Sequence, residues 1–318
     1  MRTRFAPSPT GPLHLGHAYC AILAHDMAQA AGGTFLLRIE DIDRTRARPK
    51  WEAQIFDDLH WLGLRWPDPV MRQSARLDDY SAALAKLQAM GLLYRCTCKR
   101  RDIEAAADAP QEGSGPVFGP DGLVYPGTCR SLDRDDADAA LRLNMEKALS
   151  FLGEATLSFE DTSPRHAGRH EITPDELIHR VGDIVLARRD MGTSYHLSVV
   201  VDDAAQGMTD VVRGEDLFEA TRIHVLLQAL LDLPTPRYHH HRLIRDENGK
   251  RLAKRDDARA IAKYRAEGLS PADIRSLVGL PAPVSPDNPT ASEQEPTDRS
   301  QTPTRRKPDQ AFPRSSRT

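Results

Sequence analysis

Two histidines in a proline-rich turn are the first residues of this 318-residue chain whose types and spacing could do chemistry. His14 and His17 follow the stretch 7–12, where three prolines and a glycine exclude regular structure and favour a rigid turn. Imidazoles in such a turn could donate hydrogen bonds to phosphate oxygens. By itself, His-x-x-His is better explained as half of a metal site or as two surface histidines, so its meaning depends on the elements around it.

A basic loop near the C-terminus is the second candidate. In residues 248–255 a glycine is followed by four cationic side chains. A flexible, positively charged loop can close over the negative charge that develops on a triphosphate during reaction. Without the histidine-bearing turn elsewhere in the chain, a basic surface loop would be the simpler interpretation.

Three cysteines in two short segments are candidate metal ligands. Cys96 and Cys98 are separated by one residue, and Cys129 lies in a second segment. Three thiolates suit a small zinc knuckle with one structural zinc per chain, which would hold together a segment too polar to fold by burial. Three reduced cysteines in a loop-rich insert are the alternative, but this region offers little apolar core to bury them. The Tyr125 hydroxyl is the nearest candidate for the fourth ligand, with a water or another side chain as the rivals.

The histidine turn lies between a predicted strand and a predicted helix. Residues 3–6 indicate a strand, and apolar residues from Cys20 to Ala31 recur at helical spacing before a Gly-Gly stop. Strand, turn and helix N-terminus together bind phosphates well, because free N–H groups and the helix dipole point at the turn. Cys20 is interpreted as a core residue of this helix.

Further elements are predicted along the rest of the chain. A strand over 34–39 leads directly into Glu40, at the end of the strand where ligands gather in open α/β sheets. The run His239–His241 is interpreted as a strand or loop feature, because consecutive residues do not face one site. Hydrophobic periodicity predicts helices over 49–62, 76–90, 217–231 and 261–278, and strands over 183–187, 195–201 and 211–212.

The histidine turn and the basic loop both resemble signatures of one enzyme family. Residues 9–17 resemble the HIGH signature of class I aminoacyl-tRNA synthetases, and the longer stretch 4–11 is similar to the glutamyl branch of that class. The basic loop resembles the KMSKS signature, with Lys254 retained. Arg251 replaces the first lysine and keeps its charge, whereas Ala253 replaces the usual serine and removes a hydroxyl. The spacing of the cysteines and the tyrosine is similar to the zinc-bearing, acceptor-binding insert of short glutamyl synthetases.

The resemblance covers residues 2–280 and implies an α/β fold. This fold is a Rossmann-like parallel sheet with a small zinc-binding insert and a disordered C-terminal tail. The tail is rich in proline and polar residues and cannot bury a core. The implied organisation is the first half of the catalytic domain over 1–95, the zinc-binding insert over 96–180, the second half of the catalytic domain over 181–240, the KMSKS-like loop and terminal helices over 241–280, and the tail over 281–318.

The resemblance also implies a site for glutamate and ATP. Glutamate brings two carboxylates, and a water-poor pocket needs cationic partners for both, preferably arginines. Arg4 and Arg213 supply two, and which arginine binds which carboxylate is left open. A structural ion pair with Glu215 or Asp216 is the alternative role of Arg213. The implied glutamate-binding residues are Arg4, Phe5, Ala6, Pro7, Ser8, Glu40, Tyr195 and Arg213. The implied ATP-binding residues are His14, Gly16, His17 and Lys254, of which His14, His17 and Lys254 are catalytic, and Mg²⁺ accompanies ATP.

Composition indicates a cytoplasmic globular protein. The chain is 40% hydrophobic and 28% charged, which is ordinary for such proteins. No apolar run approaches the ~20 residues that span a bilayer, and no signal-peptide pattern precedes the first turn. The net charge of −3 gives no global basic signature, so a nucleic-acid partner would have to be held by a local basic patch.

The segment after the basic loop indicates which members of the family the chain resembles most. Only about 25 foldable residues follow the loop, against the ~50 of a small domain, whereas long glutamyl and glutaminyl synthetases carry an anticodon-reading domain there. The chain is therefore most similar to short members that attach glutamate to the queuosine base in the anticodon loop of tRNA(Asp). The expected partners are this tRNA, glutamate and ATP, and the expected state is a monomer. The alternatives are a truncated synthetase that charges the 3′ end of tRNA(Glu) and a catalytically dead RNA-binding module.

Overall fold

The structure is a computed structural model that describes residues 1–107, 116–132, 135–136, 138–245 and 259–282. The predictions for Arg251, Ala253 and Lys254 lie outside the described residues, as does the tail from residue 283. Residues Met1–Ala282 form one compact unit. The internal domain boundaries expected from the sequence remain predictions.

A parallel sheet with a crossover helix forms the N-terminal part. Strand β1 (Arg2–Phe5) pairs in parallel with β2 (Thr34–Ile39), which pairs in parallel with β3 (Met71–Arg72). Parallel neighbours need a crossover connection, and helix α1 (Leu15–Ala30) provides it. The predicted strands and helices of this part are confirmed. Helices α2 (Pro49–Trp61) and α3 (Leu77–Ala89) follow.

A second sheet, which is antiparallel, anchors the segment that carries Cys96, Cys98 and Cys129. Strand β4 (Leu93–Cys96) pairs with β7 (Ala140–Leu143), and β7 pairs on its other side with β10 (Val185–Ala187). Cys96 is thus the last residue of a paired strand. Between β4 and β7 lie helix α4 (Arg100–Ala107) and a short hairpin of β5 (Phe118–Gly119) and β6 (Gly122–Leu123).

A third sheet completes the unit. It has the order β11 (Asp210–Gly214), β12 (Arg237–His241), β8 (Leu157–Asp161) and β9 (Gly168–Ile172), and only the last pair is antiparallel. The start of β11 lies beside β1, because Thr209 N donates to Arg2 O at 3.1 Å. The remaining helices are α5 (Met145–Leu152), α6 (Pro174–Glu176) with a π turn over Leu177–Val181, α7 (Tyr195–Ala205), α8 (Thr221–Leu231), α9 (Ile261–Ala266) and α10 (Pro271–Leu277).

The stretch 195–201 was predicted to be a strand, and this prediction was wrong: it belongs to helix α7. Three consecutive valines favour a strand locally, but tertiary contacts decide the outcome. Ser194 caps the helix by accepting from Leu197 N at 3.3 Å. Asp202 and Asp203, near the C-terminal end of α7, are both buried, and both contact one cluster of cationic and polar side chains. A strand would point consecutive side chains to opposite faces, whereas a helix lets both reach that cluster.

The apolar core has two main parts. One cluster packs α1 and α2 onto β1 and β2, and the other packs α3, α5 and α8 around β8 and β12. Within the described ranges, no helix is long and apolar enough to cross a membrane. The predicted helical stretch 261–278 is divided into α9 and α10 at Gly268, whose φ of +87° suits glycine.

Candidate active site

The histidine turn is held by its own side chains. His14 caps α1, and its Nδ1 accepts hydrogen bonds from Gly16 N (3.1 Å) and His17 N (3.4 Å), while His17 Nδ1 accepts from His14 N (3.1 Å). The two rings stack with centroids 3.7 Å apart. Because each Nδ1 accepts, the proton of each neutral ring is on Nε2, which becomes a donor. A Cβ at position 16 would lie 3.0 Å from His14 Cε1, so glycine permits this ring position.

A cavity of about 370 Å³ lies beside the turn, where the carboxyl ends of β1, β2 and β11 meet. Pro7 and Ser8 are the two predicted glutamate-site residues that are not among its described wall residues. Pro7 instead fixes a wall residue, since its carbonyl accepts from Glu40 N at 3.1 Å. The predicted residues that line the cavity are Arg4, Phe5, Ala6, His14, Gly16, His17, Glu40, Tyr195 and Arg213.

A buried network of ion pairs supports one wall and contributes Arg4 and Glu40 to it. Asp203 binds Arg4 through two contacts (Nε–Oδ1 3.0 Å and Nη2–Oδ2 3.2 Å) and Arg38 through a third (2.7 Å). Burial alone would raise the pKa of Asp203, but the two arginines outweigh it and lower that pKa, so the carboxylate is ionised. Glu40 accepts from Arg38 at 3.3 Å, and burial raises the pKa of Glu40 despite this contact. The positive charge of Arg4 is therefore already paired.

Arg213 has a different environment from Arg4. It is buried, and its guanidinium donates to His240 Nε2 (3.0 Å), His224 Nδ1 (2.9 Å) and Thr221 Oγ1 (2.7 Å), all of them neutral acceptors. The alternative ion pair with Glu215 is not formed, because Glu215 binds Arg165 at 2.7 Å. Among the described residues, no ion pair joins Arg213 to a carboxylate. The cavity thus contains one buried cation without an acidic partner in the described chain.

Several wall residues were not predicted from the sequence. Cys20 packs against the core as expected, but it is only half-buried and also lines the cavity, with its Sγ 3.7 Å from Val212 O. Burial raises the pKa of its thiol to about 12, so it stays protonated. A signal was available, since Cys20 lies four residues after Gly16 and shares its face of α1. Asp216, Leu243 and Ile244 had no such signal because their elements meet the cavity only in three dimensions.

The described ends of the basic-loop segment reach the histidine turn. Ala260 forms an isolated β-bridge with His14, and Ile261 N donates to Leu13 O at 2.9 Å. On the other side of the segment 246–258, Ile244 lines the cavity. Lys254 itself lies outside the described residues, so its approach to the histidine turn remains a prediction.

The three cysteines predicted to bind a metal are brought together. The Sγ atoms of Cys96, Cys98 and Cys129 lie within 4.8 Å of one another. The Tyr125 hydroxyl lies 3.4 Å from Sγ of both Cys96 and Cys98. A tetrahedral zinc with Zn–S bonds of ~2.3 Å needs sulfurs about 3.8 Å apart, which this cluster approaches. The residues present therefore fit a zinc ion, with the tyrosine oxygen closest to a fourth position.

A second, larger cavity of about 1010 Å³ adjoins the first. Tyr195 lines both cavities, and the metal-ligand candidates Cys96, Cys98 and Tyr125 line the second. Arg188 and Arg189 also line it. Tyr195 is the described residue that the two cavities have in common.

A parallel α/β fold with a capped histidine turn above the strand ends defines the catalytic domain of a class I aminoacyl-tRNA synthetase. The family described as tRNA synthetases class I (E and Q), catalytic domain, matches residues 1–307. A Glutamyl-Q tRNA(Asp) synthetase from Rhodobacter capsulatus is 67% identical over 285 residues, 88% of this chain and 100% of the relative. One from Nocardia farcinica is 44% identical over 284 residues, 87% of this chain and 85% of the relative. The chain belongs to the family of glutamyl-Q tRNA(Asp) synthetases within this class.

A solved structure supports the same fold. The glutamate tRNA ligase from Elizabethkingia meningosepticum, solved in complex with its amino acid, is 27% identical, with a TM-score of 0.67 over 87% of this chain. The chain spans 60% of the length of that ligase. The predicted fold class, a Rossmann-like synthetase domain, is confirmed.

Proposed function

We propose that the chain activates glutamate with ATP and transfers it to the queuosine base in the anticodon loop of tRNA(Asp). The observation that carries the first step is Arg213, a buried cation with neutral neighbours in a cavity roofed by the histidine turn. The second step rests on the names of the relatives, which are glutamyl-Q tRNA(Asp) synthetases.

The surroundings of Arg213 favour a carboxylate ligand in the first cavity. Beside the cavity, Arg4, Arg38 and Arg76 are already held in ion pairs by Glu40, Asp79, Asp202 and Asp203. Arg213 has neutral neighbours, so the side-chain carboxylate of glutamate is a suitable partner for it. This carboxylate would accept two N–H groups from Arg213, which has five and uses three on its neighbours. The ammonium group of glutamate would bind Glu40, and the Tyr195 ring would close that side.

The chemistry of activation needs placement and charge stabilisation. The α-carboxylate of glutamate attacks the α-phosphorus of ATP, a carboxyl–phosphate bond forms, and the bond to the β-phosphate breaks as pyrophosphate leaves with Mg²⁺. His14 and His17 would donate from Nε2 to the phosphate oxygens, and Lys254 would add its charge from the basic loop. The acceptor hydroxyl of queuosine then attacks the carbonyl carbon of the adenylate and releases AMP. The second cavity, which shares Tyr195 with the first, is where we place this acceptor.

The test of the proposed function is charging of purified tRNA(Asp) with and without queuosine. We expect incorporation of labelled glutamate only into the queuosine-bearing tRNA(Asp). The label should survive removal of the 3′-terminal nucleoside, because it is attached to the anticodon loop. Charging of tRNA(Glu) at its 3′ end would favour a truncated glutamyl-tRNA synthetase instead. Failure to form glutamyl-adenylate would favour an inactive RNA-binding module.

We also propose that Cys96, Cys98, Cys129 and Tyr125 bind one structural zinc ion. The ion would fix the wall of the second cavity, to which three of these residues belong. Binding free energy at such a site is folding free energy, so the metal would stabilise the segment locally.

The zinc proposal predicts a selective loss. Purified protein should contain one zinc per chain by elemental analysis, and Cys129→Ser should lower this at least about 10-fold, because a ligand is lost. Glutamyl transfer to tRNA should fall more than glutamate-dependent pyrophosphate exchange, since the ligands lie at the second cavity. Cys20→Ser removes the one cysteine that lies outside the proposed zinc site, so it is the control for metal content. Tyr125→Phe tests the fourth ligand. Wild-type protein without metal would refute the proposal.

A further inference from the structure

A continuous chain of hydrogen bonds runs from the buried Asp161 through Arg213, which lines the first cavity, to Asp121, which lines the second. On one side, Arg213 donates to His240 Nε2 (3.0 Å), and His240 Nδ1 bonds to the buried carboxylate of Asp161. On the other, Arg213 donates to His224 Nδ1 (2.9 Å), and His224 Nε2 lies 3.1 Å from His196 Nδ1. His196 Nε2 lies 3.4 Å from Asp121 Oδ1, in the second cavity.

The donors and acceptors along this chain can be assigned from chemistry. A guanidinium has no acceptor, so every imidazole nitrogen that faces Arg213 must accept. A ring that accepts through one nitrogen is neutral and carries its proton on the other. His240 is therefore protonated on Nδ1 and donates to Asp161, whereas His224 is protonated on Nε2 and donates to His196. His196 in turn accepts at Nδ1 and donates from Nε2 to Asp121. Every bond in the chain thus points away from the guanidinium.

Burial supports neutral imidazoles at both neighbours of Arg213. His224 and His240 are each 1% exposed. Burial and the adjacent guanidinium lower the pKa of His224 well below its usual range. Burial lowers the pKa of His240 to about 4, despite the hydrogen bond to Asp161. Burial alone would raise the pKa of Asp161, but hydrogen bonds from His240 and Ser163 lower it to about 2, so the carboxylate accepts.

We propose that His224 and His240 are positioning residues that fix Arg213 through neutral acceptors and thereby select glutamate over glutamine. A guanidinium held by carboxylates would be compensated and would gain little from a further anion, as Arg4 illustrates. Held by imidazoles and a hydroxyl, Arg213 is oriented without losing its charge. A carboxylate ligand then supplies the missing charge, and the neutral amide of glutamine does not. This inference rests on the proposed activation of glutamate.

The test uses amide substitutions that replace one ring nitrogen at a time. In His224→Asn the amide oxygen takes the place of Nδ1 and still accepts from Arg213, whereas in His224→Gln the amide occupies the place of Nε2 and that acceptor is lost. We expect His224→Gln to raise the KM for glutamate about 10-fold, the effect of losing one hydrogen bond to a charged group. The preference for glutamate over glutamine in pyrophosphate exchange should fall with it. The KM for ATP and kcat should stay within twofold, and His224→Asn should resemble the wild type in all four values.

A spectroscopic measurement tests the same arrangement without activity. In ¹⁵N-histidine-labelled wild-type protein, two-bond ¹⁵N–¹H correlations distinguish the two neutral tautomers. His240 is expected as the Nδ1–H form, and His224 and His196 as Nε2–H forms, assigned by the loss of signals in His240→Asn, His224→Asn and His196→Asn. A charged ring at 224 or 240 at neutral pH would overturn the proposal.

The outcomes separate this inference from the proposed function. A wild-type protein that shows no glutamate-dependent exchange would refute the function, whatever the tautomers are. If the wild type is active but both His224→Gln and His224→Asn lower kcat and raise the KM for glutamate and for ATP to the same extent, His224 is merely structural. That result would overturn the positioning role. Thermal unfolding of each variant is measured in parallel. If a variant does not fold, the tautomers are read in the wild-type protein, with each signal assigned by through-bond correlation to its own backbone.

Discussion

Replacement of Arg213 by alanine is expected to reduce kcat/KM for glutamate in pyrophosphate exchange by at least about 100-fold. Removing one partner of a buried charge pair costs about 3–5 kcal/mol, and each 1.4 kcal/mol is tenfold in affinity. The loss should appear mainly in the KM for glutamate, since the proposed contact is made to the side chain of the substrate and not to the reacting carboxylate. Steady-state exchange at varied glutamate and fixed, saturating ATP measures it.

Two further variants control this result. Arg213→Lys retains the charge but not the planar fork, so it should recover part of the affinity and separate charge from geometry. Arg237→Ala removes an exposed arginine of the neighbouring strand β12, which pairs with Asp210, and should leave exchange within twofold. Because alanine at 213 also leaves His224, His240 and Thr221 without their donor, unfolding temperatures are compared. A folded Arg213→Ala protein with an unchanged KM for glutamate would exclude Arg213 from the glutamate site.

Lys254→Ala is expected to lower kcat of pyrophosphate exchange by about 100- to 1,000-fold, the usual cost of removing one preorganised group that stabilises transition-state charge. The structural basis is the position of the chain on either side of the basic loop. Ala260 forms a bridge with His14, and Ile244 lines the cavity, so described residues on both sides of the loop lie at the proposed nucleotide site. The KM for glutamate should change little, because the glutamate-binding wall belongs to other elements.

The matched control for this variant is Lys263→Ala. Lys263 is an exposed lysine of α9, nine residues further along the chain, and its removal alters the net charge by the same amount. We expect its exchange activity to equal that of the wild type. Equal activities of Lys254→Ala and the wild type would reject the role of the basic loop in activation and leave the histidine turn without its proposed partner.

Local sequence was sufficient to predict many elements correctly. The strand over 34–39 and the helix from Pro49 follow from short-range patterns, because alternation, periodicity and proline at a helix start act within a few residues. The same logic failed for 195–201, where local valine preference favours a strand and long-range contacts of Asp202 and Asp203 impose a helix. Propensity differences are small, about 1 kcal/mol or less per residue, so a buried ionic network outweighs them.

The candidate site, too, could be predicted from the sequence only in part. Motif residues such as His14, His17 and Glu40 could be named in advance, because the turn and strand end that carry them are local features. The distinct roles of the two arginines could not. Arg4 and Arg213 have the same side chain, and only the fold gives one a carboxylate and the other two imidazoles.

By itself, the sequence determined the chemistry available to this protein: a histidine-bearing turn, a basic loop, three thiols and a tyrosine near them, and the class of fold that places such turns at strand ends. The tertiary structure alone decided which charged side chains have a buried partner of opposite charge: Arg4 has one, and Arg213 has neutral neighbours. The reason is physical. Bonding within a turn or helix depends on neighbours a few residues away, whereas the charge state and orientation of Arg213 depend on His224 and His240, which lie on other elements of the fold and contact it only once the chain is folded.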